Sequence, residues 1–573
     1  MKIRSIIEYL LYSFVFVFWV VIYPNHILIT EQLSLFLYTP EYGAQYALQP
    51  GGWSVYCGHF LAQFFINRWT GALIQTLLCA VFMILTKRVL KKAGFRGDLL
   101  LVAVFPALLL FVLQCDHRFT PGQTLALCCP YALMLLYMNL RHALIRRLVF
   151  TALIVFVYLF SGAVVTICLY ASFVFFELFK AKDRWKYVTP AWLFIAGILP
   201  YLWQSIYLTP SDELFRTINY PLPGIIRYVP YIILVWIPFS IFAGHQISSK
   251  RMEGMATNKG TMIIIMNLAL ACGLFLFPKT FNYAEEKMFA IYLAAAQNDW
   301  DKVLKISTQI KQPTETTVFL TNLALAQKGA LPQSMFNHYQ TDIYGLLPDH
   351  ISDYFYLCSG SMFYYHIGML NEAIRWIFDS NIMRNNGDMD YHTLTRLSVW
   401  NRENGYEQVA SKYFDILDHT LMYRGWVKRQ REAHIPQSVE SVASPVEYFI
   451  GTRDPFTDLR FYYENYPENT LLLDYLLCSL LLNNDITRFY SLFQSSYPTP
   501  DELPKAYQEA LLLLANMGMI DIRNYPIDKV NSERFSLFIN QIRRIEEKGF
   551  EKHFGDTWWY YFFRKRSFNP PGG

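Results

Sequence analysis

A few polar stretches in an otherwise apolar first half hold the residues that can do chemistry. Glu31 and Glu41 lie in a loop after the first apolar segment, and Asp116-His117-Arg118 sits at the end of a later one. A further loop holds Asp212-Glu213 and Arg216, and Arg227 stands just before the segment that follows. A carboxylate can take a proton from a hydroxyl, so Glu31 and Glu41 are candidate catalytic bases. Asp116 beside His117 makes a candidate acid–base pair. A guanidinium grips phosphate through two parallel N–H bonds, so Arg118, Arg216 and Arg227 are candidate anion-binding groups. The plainer alternative for each is a solvated loop residue or one that caps a helix end.

Apolar spans position these loops. A bilayer core is about 30 Å thick, and a helix crosses it with about 20 apolar residues. The first span is Ile6–Tyr23, with Glu8 its one charged residue, and others run roughly over 60–86, 98–115, 123–140, 187–207, 228–247 and 261–279. The run Leu148–Phe179 would be about 48 Å long as one helix, too long for a single upright crossing. Lys and Arg at span ends mark the cytoplasmic side. The clusters are Lys2/Arg4, Lys87/Arg88/Lys91/Lys92/Arg96, Arg141/Arg146/Arg147, Lys180/Lys182/Arg184/Lys186 and Lys250/Arg251/Lys259. All five fall on one side if Leu148–Phe179 crosses twice, hinged at Gly162. The pattern predicts nine crossings in a transmembrane domain over 1–280 with a cytoplasmic N-terminus. The extracytoplasmic domain, 281–573, would then be periplasmic and the protein a multi-pass one of the cell inner membrane. No small-residue cleavage site follows the first span, which reads as an anchor rather than a removable signal.

Charge divides at the same place. Residues 1–280 carry 22 Lys and Arg against 10 Asp and Glu, and the remainder 28 against 35, within an overall net charge of +5. Cytoplasmic loops account for the basic excess, and the acidic second half has no basic stripe, so no nucleic-acid partner is expected. Six of the nine cysteines lie in apolar spans; Cys358 and Cys478 lie among apolar neighbours in the second half, as a disulfide or as two buried thiols. The chain has no phosphate-binding loop, dinucleotide fingerprint, nucleophile elbow or zinc motif, so no cofactor is expected, and a divalent metal stays an open alternative with no motif to support it.

From Asn282 the pattern turns helical and amphipathic. Helices are predicted over 284–297, 299–311, 315–328, 351–366, 370–380, 389–404, 406–420, 470–482, 485–494 and 504–517. Residues 424–456 read as a long connection. The stretch Tyr364-Tyr365-His366-Ile367-Gly368-Met369-Leu370-Asn371-Glu372-Ala373 resembles a tetratricopeptide unit, with weaker echoes at Asn404–Ala410 and Ala290–Asp299. The expected fold class is therefore all-α: a polytopic helical membrane domain followed by a soluble α-solenoid. The aromatic and basic end, Trp558 to Arg566, is either a membrane-docking segment or a closing helix.

The long first loop with Glu31 and Glu41, the polar span ends and the outer soluble domain resemble the GT-C superfamily of polytopic glycosyltransferases over roughly residues 1–280. That resemblance implies a polyprenyl-phosphate sugar as donor, drawn from the membrane lipid. It also implies a loop carboxylate as base and arginines on the phosphate. Glu31-Gln32 stands where that family carries an acidic pair, which argues against metal dependence. The whole chain is also similar to an uncharacterised family of bacterial multi-pass proteins with helical-repeat C-termini. Two other readings remain. One is an envelope scaffold binding a protein or peptide through its repeats. The other, ranked third, is a transporter, disfavoured by spans nearly free of mid-span charge.

Overall fold

The computed structural model describes residues 2–95, 99–180, 183–208, 210, 214–215, 224–247, 273, 275–349, 353–383, 389–433, 452, 454–497, 502–542 and 547–568. Among them the regular elements are helices, with no strand. The chain forms two compact units. The first is Met1–Tyr283 with Asp390–His392 and Asp415–Gln430; the second is Ala284–Met389, Thr393–Phe414 and Arg431–Gly573.

The first unit contains α1 (Lys2–Val17), continued by a π-helical turn Phe18–Ile22, then α2 (Pro24–Gln32), α3 (Pro40–Ala47), α4 (Gly52–Ala62) and α5 (Arg68–Ala93). It continues with α6 (Leu99–Gln114), α7 (Pro121–Asn139), α8 (Ala143–Ala152), α9 (Ile154–Ser161), α10 (Ala163–Lys180), α11 (Ala191–Trp203) and α12 (Val229–Ile247). Arg68–Ala93 and Gly224–Phe242 are long and apolar enough to cross a membrane. The described residues offer up to four such spans if two bent pairs count as one each: Ile6–Ile22 with Pro24–Gln32 (74°), and Ala143–Ala152 with Ile154–Ser161 (49°). Most of the segment 261–279 lies outside the described residues. The long run 148–179 breaks at Gly162, where φ 82° and ψ 178° is a conformation nearly reserved for glycine.

Packing ties the helices together. Phe82 (α5), Leu113 (α6), Tyr131 (α7), Phe173 (α10) and Ile233 (α12) share one core, and the Tyr131 hydroxyl donates to the Ile233 carbonyl at 2.6 Å. Glu8 pairs with Lys87, joining α1 to α5. Glu177 is fully buried and accepts from Tyr137 Oη at 2.7 Å, Arg146 Nε at 2.8 Å and Arg147 Nε at 3.1 Å. Arg147 also reaches Asp183 at 2.8 Å. Two of the arginines counted as cytoplasmic markers are thus internally paired. α4 and α7 cross where Gly58 meets Gly122; a Cβ on Gly58 would lie 2.4 Å from the Gly122 nitrogen.

One boundary differs from expectation. The second span begins at Arg68 rather than near 60, because Gln63–Ile66 is a 3-10 turn and Asn67 caps the new helix through the Trp69 N–H at 2.9 Å. The apolar run Ile27–Tyr38 is helical only as far as Gln32, and 34–38 is extended. Its backbone is bonded elsewhere: the Phe36 N–H donates to Tyr391 Oη at 3.1 Å and the Tyr38 N–H to the His419 carbonyl at 2.9 Å. Partners so distant in sequence are invisible to local periodicity.

In the second unit the ten predicted helices are present with ends shifted by a few residues. Six turns share one device. Asn298, Gly329, Gly368, Gly405, Asn484 and Gly518 have φ between 58° and 88°. The N–H of each following residue bonds back five residues, as in Asp299 to Ala294, Met369 to Tyr364 and Asp485 to Leu480, all at 2.9 Å. This left-handed cap satisfies carbonyls that a helix end leaves orphaned. Gly368 serves the turn between Tyr354–His366 and Leu370–Ile382, and Ala373 is fully buried beyond it. One feature departs from the sequence reading, and two alternatives left open there are decided. Arg424–Glu432, expected as connection, is a helix, while 434–451 lies outside the described residues. Cys358 and Cys478 are buried free thiols. Trp558, Trp559 and Phe562 face inward: Trp558 Nε1 donates to the Leu481 carbonyl at 2.9 Å and Trp559 Nε1 to the Glu509 carbonyl at 2.7 Å. These C-terminal aromatics close a core.

Candidate functional site

The loop from Pro24 to Gly51 is mostly ordered as two short helices. Pro24 starts α2 at a position where its missing N–H costs nothing, and Pro40 does the same for α3, where Thr39 Oγ1 accepts the Tyr42 N–H. His26 lies in the first turn of α2 and Glu31 in the last.

Glu31 is almost fully buried, at 1% exposure. Tyr423 Oη donates to its Oε1 at 2.9 Å and Gln32 Nε2 to its Oε2 at 2.6 Å. Gln32 Nε2 also reaches Tyr423 Oη at 3.0 Å, and Tyr391 stacks on Tyr423 with centroids 4.6 Å apart. Burial pushes the Glu31 carboxyl up to about 7; the hydrogen bonds from Tyr423 and Gln32 pull it down, and Asp390 pushes it up.

The second cluster joins α2 to the end of α6. His26 stacks on Tyr23 at 4.7 Å, and its ring lies 6.1 Å from that of His117. Burial, then the neighbouring His117, lowers His26 to about 3, so it is a neutral ring at physiological pH. Asp116 accepts from Arg118 Nε and Nη2, each at 3.0 Å, and from the Arg118 N–H at 3.0 Å. Burial opposes the Asp116 charge, but the Arg118 hydrogen bonds and the adjacent His117 outweigh it and hold the carboxyl below its usual range. The α7 capping box of Thr120 and Gln123, beside the Gly58–Gly122 crossing, fixes where this loop ends.

The remaining candidates are placed less centrally. Glu41 is exposed in the first turn of α3. Arg227 is exposed over the Tyr228 ring, 5.1 Å from its centroid. Arg216 lies outside the described residues. Among the described residues no group of three or more His, Cys, Asp or Glu could hold a metal ion.

Sequence reasoning missed three sets of residues. Tyr423 and Tyr391 carried no local signal. His26 was visible only as part of a span end. Tyr42 and Tyr46, one helical turn apart, meet His59: Tyr42 Oη lies 2.8 Å and Tyr46 Oη 3.3 Å from its Nδ1, and Tyr42 also bonds the Leu35 carbonyl. Their four-residue spacing was the available clue.

A sequence profile described as a family of unknown function (DUF6057) matches residues 1–565. The chain belongs to that family. No curated protein and no solved structure matches it.

Proposed function

We propose that this member of the family is a multi-pass membrane protein with nine crossings. In this reading it transfers a sugar, or a related group, from a lipid-phosphate donor at the outer face of the inner membrane, as GT-C glycosyltransferases do. Membrane residence is supported by α5, which exposes Leu73, Leu77, Val81 and Ile84 on one side while burying Phe82, Met83 and Val89 on the other. A helix apolar on both faces suits lipid rather than water.

The observation that carries the transferase reading is the approach of two loops. His26 on α2 meets the Asp116-His117-Arg118 turn, with Glu31 at the other end of the same short helix. In the proposed reaction the acceptor hydroxyl gives its proton to Glu31, its oxygen bonds to the sugar carbon, and the lipid phosphate leaves with the electron pair of the broken bond. Arg118, with Arg216 and Arg227, holds the phosphate charge. A carboxyl that titrates near 7 can both take and return a proton at neutral pH. Glu41 is the alternative base.

Complementation tests this reading in cells lacking the native copy. Glu31→Gln and Asp116→Asn are expected to abolish an envelope-glycan product at unchanged expression, and Arg118→Lys to weaken it, because Lys cannot make the bidentate contact. If Glu31→Gln, Glu41→Gln and Asp116→Asn all keep the product, the enzyme reading falls. The second reading, a scaffold that binds a protein partner, would then stand. It is favoured by the six repeated turns, an arrangement in which stacked helix pairs can form an α-solenoid.

A further inference from the structure

We infer that Tyr423 and Gln32 are positioning residues for the Glu31 carboxyl, and that Asp390–His392 and Asp415–Gln430 thereby belong to the first-loop site. The inference rests on the reading of Glu31 as the proton acceptor. Tyr423 is 392 positions from Glu31 in sequence, yet its hydroxyl lies 2.9 Å from Oε1 within the same compact unit. The placement is held from several sides. Tyr391 stacks on Tyr423 in near-parallel, at 19° between ring planes. The Tyr391 N–H donates to the Ser34 carbonyl at 3.0 Å, and the Tyr38 N–H to the His419 carbonyl at 2.9 Å. These bonds hold the extended segment after α2, and with it the end of the helix that carries Glu31.

Each donor addresses a different oxygen of the carboxyl: Tyr423 reaches Oε1 and Gln32 reaches Oε2. Both donate, so both favour the charged carboxylate over the neutral acid. Among the described residues Tyr423, Tyr391 and Asp390 are titratable groups beside it, and the Asp390 charge works in the opposite sense. Removing either donor therefore raises the pH at which Glu31 loses its proton. A merely structural role for Tyr423 would leave that pH unchanged.

The test is infrared difference titration of the purified full chain in lipid nanodiscs. The protonated carboxyl band of Glu31 is identified by its loss in Glu31→Gln. Tyr423→Phe is expected to raise the midpoint of that band by about one pH unit, the size of one hydrogen bond to a charged group. Gln32→Leu is expected to do the same, and it keeps the test alive if Tyr423→Phe fails to fold. The inference is overturned if both donor variants titrate at the wild-type midpoint. The spectrum does not depend on turnover, so the two ideas fail separately. An unmoved midpoint sinks the positioning role, whereas an intact glycan product in Glu31→Gln sinks Glu31 as the proton acceptor.

Discussion

Glu177 and Glu509 are both buried carboxyls, and their surroundings differ. Two guanidinium groups and a tyrosine hydroxyl surround Glu177, so its charge is matched where it lies. Glu509 Oε2 accepts the Trp558 N–H at 2.6 Å, and Lys505 stands 4.0 Å from Oε1. Burial pushes Glu509 from its ordinary 4.5 up to about 8, with Lys505 pulling the other way. A carboxyl raised in the folded state contributes its full stability below the unfolded value and loses it as pH climbs through the folded one. Glu509→Gln is therefore expected to match the wild type below about pH 4.5. Between pH 4.5 and 8 it becomes progressively more stable than the wild type, by a few kcal/mol at most, on the order expected for a buried charge. Amide hydrogen exchange at Trp558–Phe562, compared between the two proteins at each pH, reads this out. Equal protection at pH 9 would contradict it. Residue chemistry was partly legible in sequence: Asp116 and Arg118 were visible because a pair two positions apart can close on itself. The Glu31 environment was not, since its decisive partner, Tyr423, is 392 positions away in sequence.

Helix positions were the most legible feature at the scale of elements, because apolar spacing and cap residues act within a few positions. Thr39, Asn67 and Thr120 begin helices, and Asn298 and Gly368 end them, each through bonds to near neighbours. The break at Gly162 was legible for the same reason, since a run too long for one crossing needed a residue able to turn it. That break has a topological consequence. If α9 and α10 each belong to a separate crossing, the Arg141–Arg147 and Lys180–Lys186 clusters lie on the same side. Reporter fusions after residue 181 and after residue 300 are expected to give cytoplasmic and outside signals respectively. Exchanged signals, outside after 181 and cytoplasmic after 300, would mean that 148–179 crosses once, and the same signal at both points would remove one of the last three crossings. The extended stretch 34–38 was not legible, because its apolar residues fit a helix and only tertiary hydrogen bonds pull them straight.

At the scale of the whole molecule, composition separates an apolar, basic first half from an acidic helical second half. The compact units largely follow that division, except that Asp390–His392 and Asp415–Gln430 join the first. These two short segments carry Tyr391 and Tyr423, so the neighbourhood of Glu31 is assembled from segments far apart in sequence. The role proposed for this neighbourhood, with the Asp116-His117-Arg118 turn, is transfer from a lipid-phosphate donor. The direct measurement uses right-side-out membrane vesicles whose polyprenyl-phosphate sugars carry a radiolabel. Vesicles holding the wild-type chain are expected to lose label from the lipid fraction, and vesicles holding Glu31→Gln or Asp116→Asn to retain it. Equal retention in wild-type vesicles and in vesicles without the protein would contradict the account.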